Sequence, residues 1–440
     1  MTTLGGYPWL VTEGLSRTAL VARDLIRFDT QNWGGGRSSG EADAAAYVTA
    51  VLAAMGVESE TFESAPGRAS VVARVEGTDP SLPLLVVHGH LDVVPADASE
   101  WSVDPFAGEV RDGCLWGRGA VDMKNMDAMI LVALERILAA GKRPRRGLVI
   151  AFFADEEAGG EFGAHWLVRE HPELFAGATE AISEVGGYSI EIAGRRAYLL
   201  QTAEKALQWI LLRARGTAAH GSQHMRDNAV TKLARAVADL GAHEFPVELT
   251  DTTRELIARI AELLGVDDDD PDAVAERTGT VSRFLRSSLR HTANPTMLDA
   301  GYKHNVIPSV AEARIDVRPL PGREADALDA IRAIVGDDIE IELVHGDVGI
   351  EQPFSGPLVE AMVASLGRHD PDAPVLPYML SGGTDNKSLS ELGIRGYGFA
   401  PLRLTPDLDF AAMFHGVDER VPLEALDFGT DVLEDLLLTY

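Results

Sequence analysis

His90 and Asp92 stand two residues apart in the run LLVVHGHLDVVP, which begins at Leu84. On an extended segment both side chains point the same way, so the Asp92 carboxylate can accept an imidazole N–H and fix the tautomer that offers the other ring nitrogen to a metal. Asp122 follows a glycine-rich turn in WGRGAVDMK, where a carboxylate can project into the same space. Three further candidate ligands lie far along the chain: Glu157 in ADEEAGG, Glu184 in SEVGG and His415 in HGVDERVP. Each ends an apolar run or stands beside glycines, where a ligand is both held and approachable. Taken singly, each has a plainer reading. A strand-end histidine is commonly a capped or surface residue, an Asp after Gly-Arg-Gly-Ala a turn residue, and Glu156-Glu157 the first turn of a helix, where acids favour the dipole.

These residues need strands to hold them. Leu84 to Val87 reads as a fully buried strand, and the polar burst from His88 falls where such a strand leaves its sheet. Val57 to Phe62, Ala69 to Val75, Arg146 to Phe153 and Ala181 to Ser183 are further strands. Helices are expected at Glu13 to Arg27, Glu41 to Met55, Asp127 to Ala140 and near Gly163 to Glu170, with Asn32 to Gly36 as a loop. Alternating strands and helices with polar clusters at strand ends predict an α/β fold, its site along the carboxyl edge of the sheet. From about Ala206 the grammar changes to strand, loop, helix and strand, with an acidic helical stretch from Asp251 to Leu289. After Gln352 the α/β pattern returns: a helix at Pro357 to Gly367, the loop SGGTDN, a strand at Gly396 to Phe399 and a last helix after Pro422. The expected division is 1–205 and 350–440 for one domain, with 206–349 inserted.

Bulk properties bound the function. A chain of 440 residues exceeds one ordinary core, so two domains are expected, and 46% apolar with 24% charged residues describe a folded protein. The net charge of −29 argues against a nucleic-acid or anionic-membrane partner. Asp267 to Asp270 lacks the calcium-loop pattern and reads as a solvated loop. The single cysteine, Cys114, excludes an intrachain disulfide and a thiolate zinc cluster, which leaves imidazole and carboxylate as metal donors. No apolar window approaches ~20 residues and MTTLGGYPWLVTEG has no signal-peptide pattern, so a cytoplasmic protein is expected.

Eight motifs in order, HGHLDVVP, WGRGAVDMK, ADEEAGG, SEVGG, GTAAHGS, NVIPSVAEARIDVRPLPG, SGGTDN and HGVDERVP, together resemble metallopeptidase family M20, the co-catalytic zinc exopeptidases. WSVDPFAG looks most like the aminoacylase and vacuolar-carboxypeptidase branch. The resemblance implies a zinc-exopeptidase-like mixed sheet flanked by helices, with an inserted α+β lid or dimerisation domain. It makes Asp122 the carboxylate bridging two metals, with His90 and Glu184 on one and Glu157 and His415 on the other. Two Zn²⁺ per chain are expected, cobalt or manganese being alternatives of like donor preference. Glu156 becomes the general base that takes a proton from a metal-activated water and returns it to the leaving amine, with Asp92 beside His90. His220 would donate to the oxyanion, from a partner subunit or by closure. Asn305 and Arg318 would bind a free substrate carboxylate, and Gly382, Gly383 and Thr384 would wall the substrate. His88 is expected to be structural. His165, His171, His243, His291, His345 and His369 read as ordinary surface residues, while His224 and His304 have a minor claim on the pocket.

The resemblance implies cleavage of an amide next to a free carboxylate, in a small peptide or an N-acyl amino acid, with a possible homodimer through the inserted domain. Deacylation of an intermediate such as N-acetylornithine is the alternative enzyme, and a silent binding protein the alternative class; intact ligands and Glu156 disfavour the latter. The family pattern is departed from at Ser183, before Glu184, and at Asn386-Lys387. Side-chain and acyl contacts are expected from the 245–300 region and from Leu402 to Ala412.

Overall fold

The computed structural model describes residues 14–440; Glu13 and the N-terminal stretch before it lie outside the described residues. At its centre, strands Leu84–His90, Leu148–Phe153 and Ala178–Ser183 run parallel in a ten-stranded mixed sheet. Their near-continuous apolar runs suit strands covered on both faces. Alternation sorts the side chains between two cores. Val86, Val149 and Phe153 pack with Leu167, Phe175 and Leu389 on one face, whereas Leu85, Val87, Ile150 and Phe152 face the larger core on the other. Helix Lys124–Ala139 fills that larger core, apolar around most of its circumference and packed against helices Arg17–Ile26 and Leu423–Thr439.

The Leu84 strand runs three residues beyond the expected Val87, so His88 to His90 belong to the ladder and the chemistry starts at its last residue. Asn32 to Gly36, expected as a loop, begins a small hairpin of Asn32–Gly34 against Arg37–Ser38. Strand Val375–Leu380 interrupts its apolar run with Pro377 yet pairs in parallel with Arg195–Glu204.

A second, four-stranded antiparallel sheet has the order Thr292–Ala300, Val310–Arg318, Leu207–Arg215, Ile339–Asp347. Helices Ala229–Ala242 and Glu324–Val335 cover one of its faces, packing Leu233, Leu240 and Ile331 on Ile210, Leu212 and Ile315. Between its first two strands in sequence lies the acidic helical stretch. Its helix Asp251–Leu264 starts with a Thr250–Thr253 capping box. Leu256, Ile257 and Ile260 form an apolar stripe that joins the core of the large sheet, not of the small one. Residues 251–288 therefore pack as part of the large body. Among the described residues no helix is long and apolar enough to cross a membrane.

Candidate metal centre

His90, the last residue of its strand, is 1% exposed. Its Nδ1 lies 2.9 Å from the Asp92 main-chain oxygen, which makes Nδ1 a donor and turns Nε2 inward, the nitrogen that would be offered to a metal. Nε2 meets Asp122 Oδ1 at 3.1 Å, Glu184 Oε1 at 3.6 Å and Glu156 Oε2 at 3.9 Å. The other oxygen of Asp122, Oδ2, stands 3.3 Å from His415 Nε2, which lies 3.1 Å from Glu157 Oε2. One carboxylate thus stands between two imidazoles, each with a glutamate of its own.

The orienter acts differently from the sequence expectation. The Asp92 carboxylate is 3.6 Å from the imidazole and instead accepts the main-chain N–H of Glu156 at 3.1 Å and of Glu157 at 3.2 Å. The main-chain oxygen outcompetes it because the chain turns straight after the strand. Asn32 Nδ2 bridges Asp92 and Asp155, at 2.9 Å to each. Asp155 sits in the left-handed region at φ 68°, a position Asp tolerates, and so swings Glu156 and Glu157 toward the centre. Arg68 holds Asp155 at 2.7 Å and also pairs with buried Glu41.

Glu184 follows its strand, and the next residue, Val185, is held at φ 51°, an outlier for a β-branched side chain. The Tyr378 hydroxyl donates to the Val185 carbonyl and helps to fix it. Gly186 has to be glycine here, since a Cβ would lie 2.0 Å from the Gly398 oxygen. Glu419, fully buried, accepts the N–H groups of Gly119, Val121 and Asp122 and pairs with Arg118 at 2.8 Å. It fixes the backbone that presents Asp122.

The electrostatics suit cations. Burial raises the pKa of Glu156 and Glu184 well above the carboxylate range; Glu157 and Asp385 add to it at Glu156, and Asp122 at Glu184. Burial alone would lower the pKa of His90, but facing Glu184, Asp122 and Glu156 raises it well above the ordinary value. Hydrogen bonds to Asp122 and Glu157 push His415 up to about 11. Asp122 goes the other way: hydrogen bonds from His415 and His90 outweigh burial and lower it. Acids this close and this buried are satisfied by protons or by metal cations. The donor atoms of His90, Glu156 and Glu184 lie within 4.8 Å of one another, as do those of His90, Asp122 and Glu157. Nitrogen and oxygen donors at such spacing fit divalent metals of the zinc class.

Asp122, Glu156, Glu157, Glu184 and His415 open onto a cleft of about 360 Å³ between the large body and the small sheet. Arg318, Gly382, Gly383 and Thr384 line it as well. Glu204 pins Thr384, accepting its N–H at 2.9 Å and its hydroxyl at 2.7 Å. His220 and Asn305 lie elsewhere. His220 pairs with Val306 in a short β bridge, Asn305 precedes that strand and its oxygen accepts the Gly221 N–H, and His220 is exposed with its ring against Ser222. His224 and His304 are exposed and outside the cleft.

Three histidines read as surface residues are corrected. His165 and His345 line the cleft, His345 against the Trp209 ring, because a strand irregularity at Trp209/Ile210 shifts the pairing there. His291 is buried, its Nδ1 accepting the Leu320 N–H. His88 is buried against Asn386, as expected of a structural residue. Sequence reasoning missed Asn32, Arg68, Asp155 and Glu204, which carry no local pattern. Glu419 had a signal, standing four residues after His415 inside HGVDERVP.

Residues 86–439 match Peptidase family M20/M25/M40. The chain belongs to this family. It is 30% identical over 384 residues to N-fatty-acyl-amino acid synthase/hydrolase PM20D1 of Bos taurus, covering 82% of this chain and 75% of that one. Aminoacylase-1 of Sus scrofa is 25% identical over 403 residues, 87% of this chain and 86% of its own. Among solved structures, the M20 metallo-carboxypeptidase Sso-CP2 from Sulfolobus solfataricus superposes with a TM-score of 0.75 at 19% identity, over 96% of this chain and 99% of that one. The mixed sheet flanked by helices is the fold of the family, and the chain is a hydrolytic enzyme of it.

Proposed function

We propose that this enzyme is a di-metal amidohydrolase that cleaves the amide of an N-acyl amino acid or small peptide beside a free carboxylate. The observation that carries this is Asp122, one oxygen toward His90 and the other toward His415. Asp122 would be shared by two ions, His90 and Glu184 completing one and Glu157 and His415 the other. Zinc fits the donors best, with cobalt or manganese as substitutes. When bound, the pair of ions polarises the amide carbonyl and acidifies a water.

The protein's own groups do the rest. Glu156, held by its N–H on Asp92, takes the proton from the attacking water and returns it to the leaving nitrogen; burial raises its pKa, which suits a group that must carry a proton between two steps. Asp92, Asn32 and Asp155 keep the Glu156–Glu157 backbone aimed at the centre. Arg318 and Lys387 bring positive charge to a cleft whose other walls include Phe284, Leu380 and Phe414. His220 and Asn305 act on closure of the small domain or from a neighbouring subunit of a homodimer. The net charge of −29 favours small substrates over nucleic acid or anionic lipid.

A screen of N-acyl amino acids and dipeptides with added zinc, cobalt or manganese tests the proposal. Turnover of at least one such class, abolished by chelation, is expected. Hydrolysis confined to esters or to amides lacking a nearby carboxylate would contradict it.

A further inference from the structure

The cleft that holds the acids of the metal centre also has an apolar wall, to which Phe284, Leu380 and Leu207 contribute. Each is held from behind. Leu380 ends the strand Val375–Leu380 and is 7% exposed. Phe284 lies on helix Ser282–Ser288, half-buried against the large core, with its ring 5.5 Å from that of Tyr378. Tyr378 in turn donates to the Val185 carbonyl, so the ring behind Phe284 also braces the backbone beside Glu184.

One residue, Lys205, ties this wall to Arg318. Its Nζ donates to the Ser287 carbonyl at 3.1 Å, one helical turn beyond Phe284, and to the Thr292 hydroxyl at 3.2 Å. Thr292 stands across the strand pair from Arg318. The Lys205 main-chain N–H donates to the Leu380 carbonyl at 2.9 Å, and Leu207 follows two residues later at the start of its strand. Ser287 Oγ meets Ser381 Oγ at 2.7 Å, which fastens the Phe284 helix to the residue between Leu380 and Gly382. The three apolar side chains are thus fixed around the residue that neighbours Arg318. The other cation there is already answered: Lys387 Nζ stands 3.4 Å from Asp347 Oδ2, with the buried Glu204 carboxylate acting on it as well.

We propose that Phe284, Leu380 and Leu207 form the pocket for the side chain of the amino acid that bears the free carboxylate, and that Phe284 determines a preference for large apolar or aromatic side chains there. The inference rests on the amide hydrolysis proposed above, with the free carboxylate at Arg318. Carboxylate and side chain leave the same α-carbon, so a carboxylate at Arg318 sets the side chain beside it, on the apolar wall. A benzyl or isobutyl group exchanges water there for ring and methyl contacts. A charged side chain loses hydration and finds no free partner, and glycine fills nothing.

The test measures kcat/KM for the N-acetyl and alanyl derivatives of phenylalanine, leucine, glycine, glutamate and lysine in metal-replete wild type, Phe284→Ala and Phe284→Trp. Wild type should favour phenylalanine and leucine over the other three by at least ~10-fold, the lower end of what an apolar pocket discriminates. Phe284→Ala should lower the phenylalanine value at least ~10-fold and leave the glycine value nearly unchanged, which also shows that the variant folds. Phe284→Trp narrows the pocket while keeping a ring on Tyr378; it should penalise phenylalanine more than leucine, and it serves if the alanine variant folds poorly. Equal losses on phenylalanine and glycine in Phe284→Ala, with the wild-type order kept in Phe284→Trp, would make Phe284 a structural residue and overturn the inference. A wild type that favours glycine or a charged side chain would overturn it too, and in both cases the hydrolysis observed leaves the amidohydrolase reading standing. No turnover of any compound would remove that reading and the inference with it.

Discussion

Glu419 accepts the main-chain N–H of Asp122 at 2.9 Å, and it is fully buried. The carboxylate proposed to be shared by two metals is thus placed by a second carboxylate, which pairs with Arg118. In Glu419→Gln the guanidinium loses its partner and an amide group faces backbone donors. Breaking such a buried pair costs about 3–5 kcal/mol, and metal affinity should fall ~10–100-fold as the backbone of Asp122 loosens. Calorimetric unfolding and metal titration measure the two effects; unchanged affinity would leave Glu419 a purely structural residue.

Glu156 lies 3.9 Å from His90 Nε2, close enough to be either base or ligand. Glu156→Gln keeps size and removes basicity, so kcat should fall at least ~100-fold with the metal content intact. A variant that loses metal along with activity would move Glu156 into the ligand set.

His220 is exposed and outside the cleft, which separates it from the centre it is expected to serve. If it reaches the site of a neighbouring subunit, mixing inactive Glu156→Gln with inactive His220→Ala protein should recover part of the activity through hybrid dimers. No recovery in mixtures shown to have exchanged subunits assigns His220 to its own chain.

Lys205 lies at the crossing into the small domain, its Nζ donating to the oxygens of Ser287 and Arg290 and to the Thr292 hydroxyl. Burial, reinforced by Arg318 and Arg290 against the opposing Asp316, lowers its pKa to about 7. The folded pKa is below the unfolded one, so from about pH 7 to 10.5 the unfolded chain binds more protons and stability rises with pH. Relative to Lys205→Met, wild type should gain about 2–3 kcal/mol between pH 7 and 9. Thermal midpoints of the two proteins across that range provide the check, and parallel curves would refute the shift.

The central sheet was legible because both its faces are covered. Leu84 to Val87 and Leu148 to Phe153 are apolar without interruption, and the candidate ligands stand where those runs stop. Asp122, Glu157, Glu184 and His415 were readable from their glycines and order. The supports were not: Asn32, Arg68 and Asp155 are single polar residues brought together by tertiary folding, with no spacing to mark them. Asp92 was read correctly as a neighbour of His90 but its carboxylate serves the Glu156–Glu157 backbone, a choice made by a turn that periodicity cannot describe. The stripe Leu256, Ile257, Ile260 announces an amphipathic helix, yet a stripe does not say which of two cores will bury it. Strand Val375–Leu380 was hidden by Pro377, and Thr292–Ala300 by Pro295 and its polar neighbours.

Metal stoichiometry tests the central claim most directly. Elemental analysis of the purified protein should give two divalent ions per chain, with one or both lost in Asp122→Asn and activity lost and regained on chelation and zinc return. A protein that binds no divalent metal, or remains fully active after exhaustive chelation, would contradict the account.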